Sequence, residues 1–457
     1  MKKPKRDLEG TILADGVSLG TDMRKTQLNN NVIVFGTPGG GKTEGIVKPN
    51  IMQMNSSYVV TDPKGNLLRE CGAMLKEAGY DVVCLNFSDP AKSMTYNPFS
   101  YVRTEMDLDF LARSIVRAEG RTSADAFWPD SAELLLKALM AYCIEWNEQF
   151  RPRCVTTFSD VISVADAYGH EKLGDWDNVS NRLDERMEEL FRGSYWRAKG
   201  ECEPGKRRPR SVARDTWLRF RAVANAPTTV GCIVMELWGR LNRLSGKERE
   251  RLFSDVDPVD IASLGKRRMA LFVVVSDVDR SMDFMVSVFY AQLFKELCRV
   301  ADRECCDNGN RLRVPVRVIL DDFANQNVID GFDAVIAAVR SRDIWLMPIC
   351  QATAQLEERY GRAANTIIGC CDAVVYLGVN DMATARELGE RADMPVSDIQ
   401  RMPVGTALVF VRGREGKVAP RFDVQKHPNY RFLAQADPAN EYTLCGLPAS
   451  SPARENA

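Results

Sequence analysis

The stretch Gly36-Thr37-Pro38-Gly39-Gly40-Gly41-Lys42-Thr43 spaces glycine, lysine and threonine as an anion-binding loop does, following the pattern GxxxxGK[ST]. Asn31 to Gly36 is a short β-branched run, and from Lys42 to Met54 apolar residues recur at helical spacing. The loop therefore joins a strand to a helix, where backbone N–H groups and the positive helix terminus converge on phosphate. Gly36, Thr37, Gly39, Gly40 and Gly41 form the cradle. Lys42 reaches the β- and γ-phosphates, and the Thr43 hydroxyl ligates Mg2+. ATP is the expected nucleotide. A glycine-rich turn carrying a solvated lysine is the bland alternative.

Phosphate chemistry also needs an acidic element on a neighbouring strand. Val316 to Leu320 is an apolar strand ending in Asp321 and Asp322, at the edge where parallel sheets bind ligands. Asp321 is assigned to the metal and Asp322 to the attacking water; an Asp-Asp turn or helix cap is the competing reading. A third strand, Ile344 to Cys350, ends in Gln351, which either senses the γ-phosphate or caps the next helix. Arg340 is either an arginine finger or a basic residue complementing a helix dipole.

These residues need a parallel sheet, and the first hundred residues supply a βαβαβ series: strands at Asn31–Gly36, Tyr58–Thr61 and Val82–Leu85, with a helix at Leu67–Ala78. From about Asp107 to Asp260 the chain turns to Leu, Ala, Arg and Glu with amphipathic helices at Ser131–Trp146, Asn181–Phe191 and Val230–Leu244. Alternation then resumes, with strands at Met269–Val275, Pro315–Leu320, Ile344–Cys350, Ala373–Leu377 and Thr406–Val411. The expected organisation is a discontinuous α/β nucleotide domain (1–105 and 261–430), an inserted all-α domain (106–260) and a flexible C-terminal tail (431–457).

Bulk properties narrow the classes. The chain has 457 residues, 45% of them apolar and 27% charged, with a net charge of -1, the composition of an ordinary globular protein. Global basic excess is absent, so any DNA contact comes from local patches. The densest is Lys206-Arg207-Arg208-Pro209-Arg210 with Arg214, Arg219 and Arg221, near Trp196, Trp217 and Phe220; it is read as a solvated basic loop or a single-strand surface. Thirteen scattered cysteines lack a CxxC, and only His170 and His427 are available, which points to reduced thiols and away from zinc. No apolar run approaches the roughly 20 residues of a membrane helix.

Together the segments resemble the type IV secretion coupling proteins, the TraG/TraD-type ATPases. The likeness runs through Gly36 to Thr43, Thr61-Asp62-Pro63-Lys64-Gly65, Tyr96-Asn97-Pro98-Phe99, Leu320 to Asn325 (LDDFAN, against the family's LDEFAN) and Gln351 to Gly361 (QATAQLEERYG). The resemblance implies a RecA-like P-loop domain with an inserted all-α domain, assembled as a hexamer with ATP between subunits. Lys42, Thr43, Asp321 and Gln351 keep the family's chemistry, and Arg340 falls where the family places a finger acting on the neighbour. Asp322 replaces the usual glutamate, from which slow or assembly-dependent hydrolysis is expected. The family's membrane helices are not in the sequence, through truncation or natural absence. Implied partners are a relaxase-DNA complex or protein cargo, single-stranded DNA and other secretion components at the inner face of the bacterial cell membrane. The alternatives are a recruitment platform with little turnover and an FtsK-like translocase of double-stranded DNA.

Overall fold

A computed structural model describes residues 3–117, 127–169, 185–190, 210–224, 226–325, 328–329, 331–379 and 381–443. The chain divides into two compact units, Met1–Met94 with Val259–Ala457, and Thr95–Pro258.

The first unit is built on strands β3 (Val32–Gly36), β4 (Ser57–Asp62), β5 (Asp81–Asn86), β6 (Met269–Val274), β7 (Val316–Leu320), β8 (Ile344–Cys350), β9 (Ala373–Leu377), β10 (Thr406–Val411) and β11 (Lys417–Pro420). They form a nine-stranded sheet in the order β11-β10-β9-β3-β8-β7-β4-β6-β5. From β9 to β5 all pairings are parallel, whereas β10 and β11 add as an antiparallel hairpin at one edge. Every residue of β3, β4, β6, β7, β8 and β9 is buried, as expected of parallel strands covered on both faces. A separate small hairpin pairs β1 (Thr11–Ala14) with β2 (Val17–Leu19), strands too short to stand out in the sequence.

The helix Asn66–Glu77 shows how the layers close. It buries Leu67, Leu68, Cys71, Met74 and Leu75, one stripe at helical spacing, into the cluster that also holds Val34, Val60 and Phe272. Its start is fixed from β4: the Asp62 carboxylate accepts the Leu68 N–H at 2.9 Å, and Gly65 makes the left-handed turn between them. The Asp-Pro-Lys-Gly run is thus a strand-to-helix corner in which an otherwise buried carboxylate finds a backbone donor.

The expected flexible tail needs correction over residues 431–443. Leu433 is fully buried, the Ala434 and Tyr442 amides donate to the Glu70 and Arg69 carbonyls, and the Tyr442 ring lies against Gly72. The sequence is aperiodic because the segment docks through single anchors, not through a repeating face. Residues 444–457 lie outside the described residues. Lys48, also buried, pairs with Glu44 and Glu70 and reaches Gln435 at 3.3 Å, so the docked segment touches the helix that follows the glycine-rich loop.

Among the described residues the regular elements of the second unit are helical: Glu105–Val116, Phe127–Phe150, Phe158–Gly169, residues 185–190, Val212–Val223, Pro227–Leu241 and Lys247–Leu252. Thr104 and Asp107 form a capping box at the first of them. Phe99, Phe158 and Phe253 meet edge to face at 5.1 and 5.6 Å. Trp217 and Phe220 are buried here, which corrects their reading as stacking surfaces. Arg210 and Arg214 pair with Asp215 and Glu188, while Trp196 and Lys206 to Pro209 lie outside the described residues. Among the described residues no helix is long and apolar enough to cross a membrane, and the described cysteines are free.

His427 supplies a pH test. Its Nδ1 accepts the Asn429 N–H at 3.2 Å, its Nε2 faces Gln53 Oε1 at 3.1 Å, and burial lowers its pKa from 6.5 to about 4. Between those values the unfolded chain takes up a proton that the folded chain refuses. The stability contribution is therefore present above pH 6.5 and lost as pH falls towards 4, by up to about 3 kcal/mol. Urea unfolding of the wild type and His427→Asn at several pH values should show a shallower acid decline in the variant. Parallel profiles would count against it.

Candidate nucleotide site

The glycine-rich loop leaves β3 at Gly36, which is registered against Leu377 of β9. Gly39 and Gly41 take φ of +76° and +82°, conformations that a side chain would strain. The Gly40 N–H donates to the Thr37 carbonyl at 3.0 Å and closes the turn. The chain then winds as a single π-turn, Thr43–Val47, running into the helix Lys48–Met52. Lys42 folds back onto the loop, its Nζ donating to the Gly36 carbonyl at 2.7 Å and the Thr37 carbonyl at 3.3 Å. These neutral acceptors give weaker bonds than an anion would.

The acidic element lies one strand further away than the expectation of a neighbouring strand allows. β8 stands between β3 and β7, so Gln351 at its end comes between the loop and the aspartates. Asp321 is 8% exposed, and burial, with the Asp322 charge adding to it, raises its carboxyl to about 6. Asp322 adopts a left-handed φ of +52°, which turns its N–H onto Asp321 Oδ1 at 3.1 Å. Gln351 Nε2 reaches Asp322 Oδ1 at 3.4 Å. The helix Thr353–Tyr360 has Ala352 at its N-cap with no side-chain cap bond, so the Gln351 side chain serves the aspartate and not that helix.

The QATAQLEERYG and LDDFAN segments prove to be one packed unit. Gln355 Nε2 donates to Asn325 Oδ1, and Gln355 Oε1 accepts the Gln351 N–H at 3.4 Å. The Tyr360 ring stacks on Phe323 at 5.1 Å and 15°, and its hydroxyl accepts the Ile329 N–H at 3.2 Å. Arg280, in the loop after β6, donates to the Asn325 carbonyl. Sequence reasoning did not assign Gln355, Tyr360 or Arg280; the polar periodicity of the helix Thr353–Tyr360, which buries only Leu356, was the available signal.

Arg340 stands apart. It is exposed, sits at the C-cap of the helix Phe332–Val339 and precedes the start of β8, the strand whose other end carries Gln351. A strand of this length separates the two sheet edges by roughly 20 Å. Lys42, Thr43, Asp321, Asp322 and Gln351 thus gather at one edge, and Arg340 lies at the other. Among the described residues no group of three or more His, Cys, Asp and Glu could hold a metal alone. Thr43 and Asp321 offer only hard oxygens, which suits Mg2+ shared with phosphate.

The sequence matches a family model described as type IV secretory system conjugative DNA transfer over residues 3–393. Among solved structures, the plasmid coupling protein TrwB in complex with ADP and Mg2+ shares 16% identity at a TM-score of 0.61, covering 92% of this chain and 90% of that one. The conjugative coupling protein TrwBdeltaN70 in complex with sulphate shares 14% at 0.60, with coverages of 92% and 90%. VirB4 of Thermoanaerobacter pseudethanolicus shares 13% at 0.50, with coverages of 92% and 98%. At these identities the likeness establishes the fold, an α/β RecA-like P-loop domain carrying an all-α domain. No curated protein sequence matches.

The left-handed Asp322 carries its own test. Asp322→Gly removes the side chain that strains this backbone and should stabilise the fold by up to about 1 kcal/mol in urea unfolding. The same change deletes the carboxylate facing Gln351 and should reduce nucleotide turnover at least tenfold. A variant that is less stable, or equally active, would contradict the geometry.

Proposed function

The chain belongs to the type IV secretory system conjugative DNA transfer family, and from that premise we propose that it is an ATP-driven coupling protein acting at the cytoplasmic face of the bacterial inner membrane. It recruits a relaxase-bound strand or protein cargo and delivers it to the membrane channel. The observation that carries this reading is the division of the site between two sheet edges. Lys42, Thr43, Asp321, Asp322 and Gln351 make one face of a nucleotide site, and Arg340 belongs to the opposite face.

Only a neighbouring subunit can bring an Arg340 to the first face, so the working form is a ring, a hexamer by family resemblance. The cradle from Gly36 to Thr43 would hold ATP, and Thr43 and Asp321 would hold Mg2+, which when bound would neutralise phosphate charge. Lys42 leaves the Gly36 carbonyl for the β/γ-phosphates. Asp322 orients water, and Gln351, in contact with Asp322, places that water relative to the γ-phosphate. Arg340 of each subunit stabilises the charge that develops next door.

Cargo recognition falls to the helical unit. It carries a cleft of about 670 Å³ lined by Asp109, Arg113, Arg117, Asp130, Glu133 and Lys137 among others. The charges there are largely paired with one another, as Lys137 is with Glu105 at 2.8 Å and Asp109 at 2.6 Å. Such a cleft suits a partner that exchanges ion pairs and does not favour a bare polyanion.

Complementation tests the shared site. Lys42→Ala and Arg340→Ala should each lower ATP turnover at least about 100-fold. Mixing the two inactive variants should restore activity, because about a quarter of the interfaces in a random ring pair an intact Lys42 with an intact Arg340. An inactive mixture, together with wild-type turnover independent of protein concentration, would sink the ring reading.

A further inference from the structure

Arg421, just beyond β11, sits far from the glycine-rich loop in sequence and in no motif, yet its side chain lies directly along that loop. Its Nη1 donates to the Gly40 carbonyl at 3.2 Å. A Cβ built on Gly41 would fall 1.6 Å from Arg421 Nη1, and one built on Gly45 would fall 2.4 Å from its Cγ. The guanidinium therefore lies over Gly41 and the aliphatic stem over Gly45. Its backbone is fixed as well, since the Arg421 N–H donates to the Gly405 carbonyl at 2.7 Å.

Gly45 is informative because the loop pattern ends at Thr43. A glycine in the first turn of a helix lowers helix stability relative to alanine, and the phosphate cradle does not need one there. The Arg421 stem does, because any side chain at that position would occupy its path.

Arg421 pairs with no carboxylate among the described residues. Like Lys42, it rests on a neutral carbonyl of a loop built to hold an anion, with most of its five N–H donors unused on that contact. Phosphate oxygens would replace that single bond with charge-assisted, bidentate ones.

We propose that Arg421 is a nucleotide-binding residue supplied by the same subunit, which engages the diphosphate of the bound nucleotide, with Gly45 kept as glycine to let it pass. The proposal rests on the nucleotide site described above and adds a residue to it. It also ties the β10–β11 hairpin to occupancy of the loop.

Binding of a fluorescent ADP to the full chain tests it, with inorganic pyrophosphate as competitor. Arg421→Ala should weaken ADP binding by about 10- to 100-fold and weaken pyrophosphate competition in parallel. Arg421→Lys should fall between the two. Gly45→Ala should reproduce part of the loss in the wild type and add little to Arg421→Ala. Thermal unfolding establishes that each variant is folded. Unchanged or tighter binding by a folded Arg421→Ala, with Lys42→Ala still defective, would overturn the role of Arg421 alone. Absence of ADP binding by the wild type would overturn the nucleotide site itself.

Discussion

A parallel sheet has one edge at which its strands end together, and the register that brings Gly36, Gln351 and Asp321 to that edge is the constraint on which the rest of the site depends. Val34 and Phe35 pair with Ile349 and Cys350, and Leu320 pairs with Pro348. The loop and the glutamine are therefore held at one level, and Asp321 two residues short of it, by backbone hydrogen bonds of buried strands. A slip in either pairing would separate the lysine from the carboxylates by a full residue rise, about 3.3 Å. Positioning here is accomplished by the core, and the side chains at the edge inherit it.

Burying charge beside that edge has a cost, and the fold meets it in different ways. Asp62 accepts a backbone N–H, Lys48 sits between two glutamates, and Asp321 shifts its carboxyl upward. Arg317 on β7 is the extreme case. It is almost completely buried, bonds Thr11 Oγ1 at 2.7 Å and lies 5.0 Å from the Trp345 ring centroid. Burial lowers its pKa to about 10, and its Nε and Nη1 find no hydrogen-bond partner among the described residues. A guanidinium tolerates this because its charge is delocalised and weakly hydrated.

Local chemistry was legible in the sequence, and spatial order was not. The glycine-rich loop, the strands β3, β8, β9 and β10 and the carboxylates after β7 announce themselves because strand period, glycine and acidic strand ends are short-range signals. The insertion of β8 between β3 and β7 is invisible to such signals, since strand order is settled by how helices cover the sheet. The docking of residues 431–443 escaped for a related reason: isolated anchors such as Leu433 and Tyr442 leave no periodic trace. Trp217 and Phe220 misled because aromatic residues near arginines look alike whether they face solvent or a core. Arg421 had no signal of its own; the only hint was the extra glycine at position 45.

The meeting of the two ends of the nucleotide-binding unit has a mechanical consequence. Asn429 accepts the Lys5 N–H at 2.8 Å and donates to the Lys5 carbonyl at 2.7 Å, and the same Asn429 amide donates to the Met52 carbonyl at 2.9 Å, at the end of the helix that follows the loop. Tension applied along the N-terminal end, at Lys5, is thus passed to one asparagine, and through it to the helix that follows the glycine-rich loop. Force at that end and any movement of the loop act on the same short lever.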